Sequence, residues 1–194
     1  MYKRQEVYSA VISPPFDIAE PIKIFKQGLE SVIGKYASFY SDPSIILFAA
    51  MGDENKISQI EKRMEIICRN QIPFTIHLKD FDEFYNNRTI FISTDDQSKS
   101  HLTSLRKKLS AEIKTAKFDE DVDFNVGKIP HITIARTLSE DQYQVAKKYF
   151  ANRKYEAQFE CNSITWRKLV KTDAYSNYET VRSFSFAQKN LSLF

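Results

Sequence analysis

The segment Pro130–Arg136 carries the residues of this chain that are best suited to chemistry, and it reads Pro-His-Ile-Thr-Ile-Ala-Arg. Its apolar alternation predicts a strand over 129–136, in which His131 and Thr133 share one face because successive strand residues point to opposite sides. An imidazole moves protons near neutral pH, and a hydroxyl can donate to a phosphoryl oxygen. The pair predicts a phosphate site, although two incidental polar residues on a half-buried strand would show the same pattern.

An earlier segment, Pro43–Ala49, repeats this pattern at a separation of a little under half the chain. Both segments start with Pro, carry Ile at the third position and an aliphatic residue at the fifth, and precede a predicted helix. The similarity indicates a duplicated unit in which each copy supplies one equivalent strand. The first copy, however, has Ser44 where the second has His131, and Ile46 where the second has Thr133.

The elements that position these segments alternate between strand and helix. Strands are predicted over 7–13, 44–50, 74–81, 88–94, 129–136, 155–169 and 178–186, and helices follow Asp17, Asp53 and Ser139 and cover 98–114. Strands outnumber helices, and consecutive hairpins predict mixed or antiparallel sheets. The fold class is therefore α+β.

Composition excludes several classes of protein. The 194 residues include 28 Lys and Arg against 25 Asp and Glu, a net charge of +3 that permits a polyanionic partner without requiring one. The two cysteines lack metal-ligand spacing and are too few for a disulfide scaffold. We find no signal-peptide stretch, no run long enough to span a membrane, no Gly-rich phosphate loop and no nucleophile elbow. We therefore expect a cytoplasmic protein with no cofactor and no metal.

The segment Pro130–Arg136 resembles the second signature of the two-histidine phosphoesterase superfamily, which includes the bacterial 2′-5′ RNA ligases and the RNA 2′,3′-cyclic phosphodiesterases. The resemblance covers nearly the whole chain. It implies one domain over 1–194, with two pseudo-symmetric lobes around a central cleft and one His-x-Thr or His-x-Ser strand from each lobe. It also implies in-line displacement at a phosphodiester, with one histidine as base, the other as acid, and the hydroxyls on phosphoryl oxygens.

The first family signature is missing, because Ser44 and Ile46 occupy its His and Thr positions. General acid–base help from one group contributes roughly 10²–10⁴-fold, so this loss removes most of the family reaction. We predict a divergent member, a monomer, that binds an RNA end or a cyclic nucleotide through His131 and Thr133 with weak or lost hydrolysis. One alternative is a non-catalytic scaffold in which these two residues are relics.

Three further residues are candidates for the binding site. Ser44 is either an adapted hydrogen-bond donor or a neutral loss. His77 lies on the polar face of the strand predicted over 74–81, and it replaces the missing acid or base if that face lines the cleft; the alternative function is then an active cyclic phosphodiesterase. Strict alternation places Arg136 on the face opposite His131, so it reaches a phosphate only if a bulge or the strand end turns it round.

A second His-x-Thr, His101-Leu102-Thr103, is a decoy. Its neighbours Leu102 and Leu105 have helical spacing, so His101 and Thr103 point in different directions. We predict a solvated helix residue at His101.

Overall fold

The computed structural model describes residues 6–115, 122–126, 128–171 and 176–187. Its strands are β1 (Glu6–Ile12), β2 (Ile45–Gly52), β3 (Phe74–Phe84), β4 (Thr89–Thr94), β5 (Val122–Asp123), β6 (Ile132–Ala135), β7 (Glu156–Cys161), β8 (Ser163–Lys171) and β9 (Ser176–Ser185). Its helices are α1 (Phe16–Ile33), α2 (Glu54–Asn70), α3 (Asp96–Lys114) and α4 (Glu140–Phe150), and a 3₁₀ turn over Tyr85–Asn87 joins β3 to β4.

The nine strands of the described ranges form a single sheet in the order β7-β3-β4-β6-β2-β1-β8-β9, with β5 paired to β2. Every pairing between them is antiparallel. The two halves of the sheet on either side of the central strands β2 and β6 are built alike. In one half α1 connects β1 to β2 and α2 follows β2, and in the other α3 leads from β4 towards β6 and α4 follows β6. The predicted α+β fold with two pseudo-symmetric halves is confirmed.

The helices cover one face of this sheet. Ile22 and Leu29 of α1 and Ile60 and Met64 of α2 are fully buried against inward strand residues such as Trp166. Burying each aliphatic side chain contributes about 1.5–3 kcal/mol, so this layer is the main source of stability. We call the other side of the sheet the open face; it carries the alternate strand residues, among them Val11, Ile46, Phe91 and Thr133.

Two predicted strands differ from the structure. The strand expected over 155–169 is interrupted at Asn162, and its two parts pair at opposite ends of the sheet, β7 with β3 and β8 with β1. The strand expected over 129–136 is confined to Ile132–Ala135, so His131 lies directly before it. Apolar alternation shows neither boundary, because it does not report which strand a residue pairs with.

Candidate functional site

The two similar segments meet at the centre of the sheet. Ile45 of β2 lies opposite Ile132 of β6 in an antiparallel pair. One step to either side, the same register sets Ser44 opposite Thr133 and Ile46 opposite His131. The intact and the altered copies of the signature therefore face each other on the open face.

Each central strand contains one extra residue at the equivalent position. In β6, Thr133 pairs with Phe91 and Ala135 with Ile90, which leaves Ile134 as the extra residue. A bulge of this kind reverses the alternation that follows, so Arg136 returns to the open face. Arg136 therefore reaches the site because of a bulge, which is one of the two conditions that its position in the sequence requires.

In β2 the corresponding bulge is at Leu47, because Ile46 pairs with Val11 and Phe48 with Ala10. The offset from Leu47 to Ile134 equals that from Ser44 to His131. The two strands thus share an irregularity as well as a sequence pattern, which strengthens the case for duplication.

Buried donors hold both bulges in place. The Arg106 guanidinium of α3 donates through Nε to the Leu47 carbonyl at 2.8 Å. The Ser38 hydroxyl donates to the Ile134 carbonyl at 3.3 Å and accepts from the Arg136 backbone N–H at 3.2 Å. A buried carbonyl without a partner is costly, so these contacts fix the strand geometry around the site.

His131 is half-buried and has a defined orientation. Its Nδ1 lies 2.7 Å from the Ile129 carbonyl, and since a carbonyl only accepts hydrogen bonds, Nδ1 carries the proton and Nε2 keeps a lone pair. The rings of Phe84 and Phe91 pack against the imidazole, with centroids 5.2 and 4.8 Å away. Burial lowers the pKa of His131, although the Ile129 carbonyl acts in the opposite direction. The ring is therefore neutral at pH 7.

A cavity of about 610 Å³ opens over this part of the open face. Its lining includes Ile46, Phe84, Tyr85, Asn125, Lys128, His131, Thr133 and Arg136. Among the described residues, no carboxylate forms an ion pair with Lys128 or Arg136. Glu83 also lines the cavity, but Lys147 pairs with it at 2.8 Å. The cavity therefore combines the neutral imidazole of His131, the hydroxyl of Thr133 and the positive charges of Lys128 and Arg136, a set of groups that suits an anionic ligand.

The altered signature contributes little polar chemistry to this cavity. Ile46 lines it with hydrocarbon. Ser44 is only 9% exposed, is not part of the lining, and donates weakly to the Asp42 carbonyl at 3.4 Å. No side chain at either position is a proton donor or acceptor of suitable pKa opposite His131.

The structure does not bring His77 to this site. His77 lines a separate pocket of about 400 Å³ with Lys79, Asp95 and Glu156. It lies on β3, which β4 separates from β6, and Gln158 of β7 is its strand partner. His101 is exposed on α3, as its helical spacing indicates, with its ring 5.2 Å from that of Phe74.

Sequence reasoning did not find Asn125 and Lys128. Both lie in the irregular stretch between β5 and β6, where no periodicity marks an orientation. Within the described ranges, no group of three or more His, Cys, Asp or Glu side chains is placed to hold a metal ion. None of the described helices is long and apolar enough to cross a membrane.

A duplicated antiparallel sheet with two facing signature strands on its open face is the architecture of the two-histidine phosphoesterases. The family model described as the 2′-5′ RNA ligase superfamily matches residues 34–173, and the chain belongs to this family. The resemblance inferred from the sequence is confirmed. Comparison with curated protein sequences gives no match.

Solved structures share the fold at low identity. Escherichia coli LigT complexed with 3′-AMP is 16% identical with a TM-score of 0.71, over 95% of this chain and 100% of that chain. The Thermus thermophilus protein TT0787 is 14% identical with a TM-score of 0.71, over 94% of this chain and 99% of that chain. Escherichia coli LigT complexed with ATP is 14% identical with a TM-score of 0.67, over 95% and 100% of the two chains.

Proposed function

We propose that the cavity binds a phosphate-bearing ligand, an RNA end or a cyclic nucleotide, and that the two-histidine phosphodiesterase reaction is weak or lost. The observation that carries the proposal is the opposition of one intact signature, His131 and Thr133, to hydrocarbon at Ile46 and a buried hydroxyl at Ser44. We also expect the protein to bind this ligand as a monomer.

The binding half of the site is complete. The Thr133 hydroxyl and the Arg136 guanidinium donate hydrogen bonds to phosphoryl oxygens, and Arg136 adds charge. With Nδ1–H committed to the Ile129 carbonyl, Nε2 of the neutral His131 accepts a hydrogen bond from a ribose hydroxyl or a water beside the phosphate. Lys128 contributes a second positive charge to the same cavity.

The reacting half of the site is incomplete. In-line opening of a cyclic phosphate requires a base that takes a proton from the attacking water and an acid that gives one to the departing ribose oxygen. Neutral His131 fits the first role. The acid is expected on the facing strand, where the Ile46 side chain has no ionisable proton and the Ser44 hydroxyl is too weakly acidic. Loss of the acid alone lowers the rate by roughly 10²–10⁴-fold.

Two structures of a protein with the same fold support a nucleotide ligand. Escherichia coli LigT is complexed with 3′-AMP in one of them and with ATP in the other. The positive, half-enclosed cavity of this chain is consistent with a ligand of the same chemistry, and the aromatic ring of Tyr85 at its rim, 69% exposed, is available to stack on a base.

The test combines binding and turnover with 2′,3′-cyclic AMP. Calorimetry is expected to show binding by the wild type and a loss of at least about tenfold in affinity for Thr133→Val and for Arg136→Gln, since a hydrogen bond to a charged group contributes about 1.5–3 kcal/mol. Chromatography of the product is expected to show wild-type turnover no higher than that of His131→Ala.

Two histidine variants serve as controls. His101→Ala removes an exposed histidine from α3 and should leave affinity unchanged. His77→Ala tests the rebuilt-pair alternative and should also have no effect. Turnover above the His131→Ala level, abolished by His77→Ala, would establish an active phosphodiesterase. Equal affinity in the wild type, Thr133→Val and Arg136→Gln would contradict the proposal that Thr133 and Arg136 bind the phosphate.

A further inference from the structure

Arg167 lies on the open face, in the half of the sheet that contains the altered signature. Its neighbour Trp166 is fully buried in the core under the helices, so the next residue of β8 points to the other side. Arg167 pairs with Ser9 of the neighbouring strand β1, and Ser9 pairs in turn with Ala49 of β2. A basic side chain thus stands on the strand next but one to Ser44 and Ile46.

The internal symmetry gives Arg167 a counterpart beside the intact signature. Ala49 is equivalent to Arg136 by the repeat offset, so Ser9 corresponds to Thr89, and the partner of Thr89 on the next strand is Phe84. Phe84 packs against His131. By the same symmetry, Arg167 is the equivalent of Phe84 in the altered half of the sheet. The altered half has a fixed cation where the intact half has an aromatic wall.

The guanidinium of Arg167 is oriented but not neutralised. Nε donates to the Ser9 hydroxyl at 2.8 Å, and the group lies 4.3 Å from the centre of the Tyr178 ring. Among the described residues, no carboxylate lies within ion-pair distance of it. Burial lowers the pKa of Arg167, but an arginine stays charged in proteins, so the desolvated cation lacks a counter-ion in the described part of the chain.

Other basic residues of the same hairpin behave differently. Lys168 pairs with Glu6 at 2.5 Å, and Arg182 pairs with Glu65 at 3.3 Å. The carboxylate of Asp42 raises the pKa of Arg167 without forming an ion pair with it, and Asp42 already pairs with Lys23 at 3.4 Å. The positive charge of Arg136 also contributes to lowering the pKa of Arg167.

We propose that Arg167 binds a second phosphate of the ligand, so that the preferred ligand is an RNA end of at least two nucleotides and not a single nucleotide. The proposal rests on the proposed function, in which the terminal phosphate occupies His131, Thr133 and Arg136. The internal phosphodiester of a dinucleotide then lies over the altered half of the open face, where the Arg167 guanidinium offers two remaining nitrogens in a planar fork. The missing acid and the second anion site both favour binding of the RNA end over its cleavage.

The test compares two probes that differ by one nucleotide, adenosine 2′,3′-cyclic phosphate and the dinucleotide ApA with a 2′,3′-cyclic phosphate end. We expect the wild type to bind the dinucleotide at least tenfold more tightly. We expect Arg167→Gln, which keeps a donor for Ser9, to lose about tenfold in dinucleotide affinity and less than twofold in mononucleotide affinity. Arg182→Gln, on the neighbouring strand and paired with Glu65, is the matched control and should leave both affinities unchanged.

The salt dependence of wild-type binding supplies a second readout that needs no variant. The slope of log affinity against log salt concentration should be steeper for the dinucleotide by about 0.7, the value for one further phosphate contact on a single strand. Equal affinity and equal slope for the two probes would overturn the role of Arg167 and leave the terminal phosphate site standing. Binding of both probes that is insensitive to Thr133→Val would instead overturn the proposed function.

Discussion

Replacing Arg106 by methionine tests whether one buried cation holds both the bulge of β2 and the wall of the cavity. Arg106 is 8% exposed, and its Nε donates to the Leu47 carbonyl at 2.8 Å. Its Nη2 donates to the Phe124 carbonyl, immediately before the cavity-lining Asn125. Methionine keeps the apolar stem of the side chain and removes the donors, so both carbonyls lose their partner.

The expected cost follows from these contacts. Two hydrogen bonds from a charged donor contribute about 1.5–3 kcal/mol each, so their loss removes about 3–6 kcal/mol. Burial desolvates part of the Arg106 charge and lowers its pKa, so removing the charge recovers part of the desolvation cost. We expect a net loss of about 2–4 kcal/mol in the free energy of unfolding, or about 5–15 °C in Tm for a chain of this length.

Urea denaturation followed by circular dichroism measures this change, and amide exchange at Ala49 and Ala50, which pair with β5, reports on the cavity wall. The control is Arg63→Met, which breaks a half-exposed ion pair with Glu112 and should cost less than about 1 kcal/mol. If Arg106→Met were no less stable than Arg63→Met, the bulge would not depend on this contact and the reasoning would be refuted.

Two further predictions concern the intact half of the site. Because burial lowers the pKa of His131, the folded state favours the neutral ring; the resulting stability is complete above pH 6.5 and is lost as the pH falls through the folded pKa. An NMR titration should give a midpoint below 6.5, and a midpoint at or above it would contradict the buried, neutral imidazole. Ser38→Ala should destabilise the fold by about 1–2 kcal/mol in urea, since the Ile134 carbonyl loses its donor, and should weaken binding of 2′,3′-cyclic AMP because Arg136 loses its backbone support; unchanged affinity would show that Arg136 is positioned by other contacts.

Much of the fold and the centre of the site could be predicted from the sequence. Alternation predicts that His131 and Thr133 share a face, and the repeat predicts an equivalent strand at Ser44 and Ile46. Both inferences need only local spacing. The pairing of β2 with β6 agrees with the second, since a duplicated unit related by a two-fold axis brings its equivalent strands together.

The remaining parts of the site depend on contacts between distant segments. The orientation of Arg136 depends on the extra residue Ile134, and a bulge has no sequence signature in an apolar run. Lys128 reaches the cavity from an irregular stretch. His77 has the alternation of a cleft residue, but the order of the strands puts β4 between it and β6. Periodicity gives the face of a strand and not its neighbours.

The separation of fold from chemistry in this chain follows from strand geometry. Ile45 and Leu47 of β2 point into the core and are fully buried, whereas Ser44 and Ile46 point to the open face. A substitution at either open-face position changes no core contact, so the first signature can be lost while the bulges, the register and the helical layer persist. For the same reason, the shared fold of relatives at 14–16% identity carries no information about turnover. The side chains that line the cavity decide turnover. His131, Thr133 and two cations that no described carboxylate neutralises are the basis on which we propose phosphate binding without turnover.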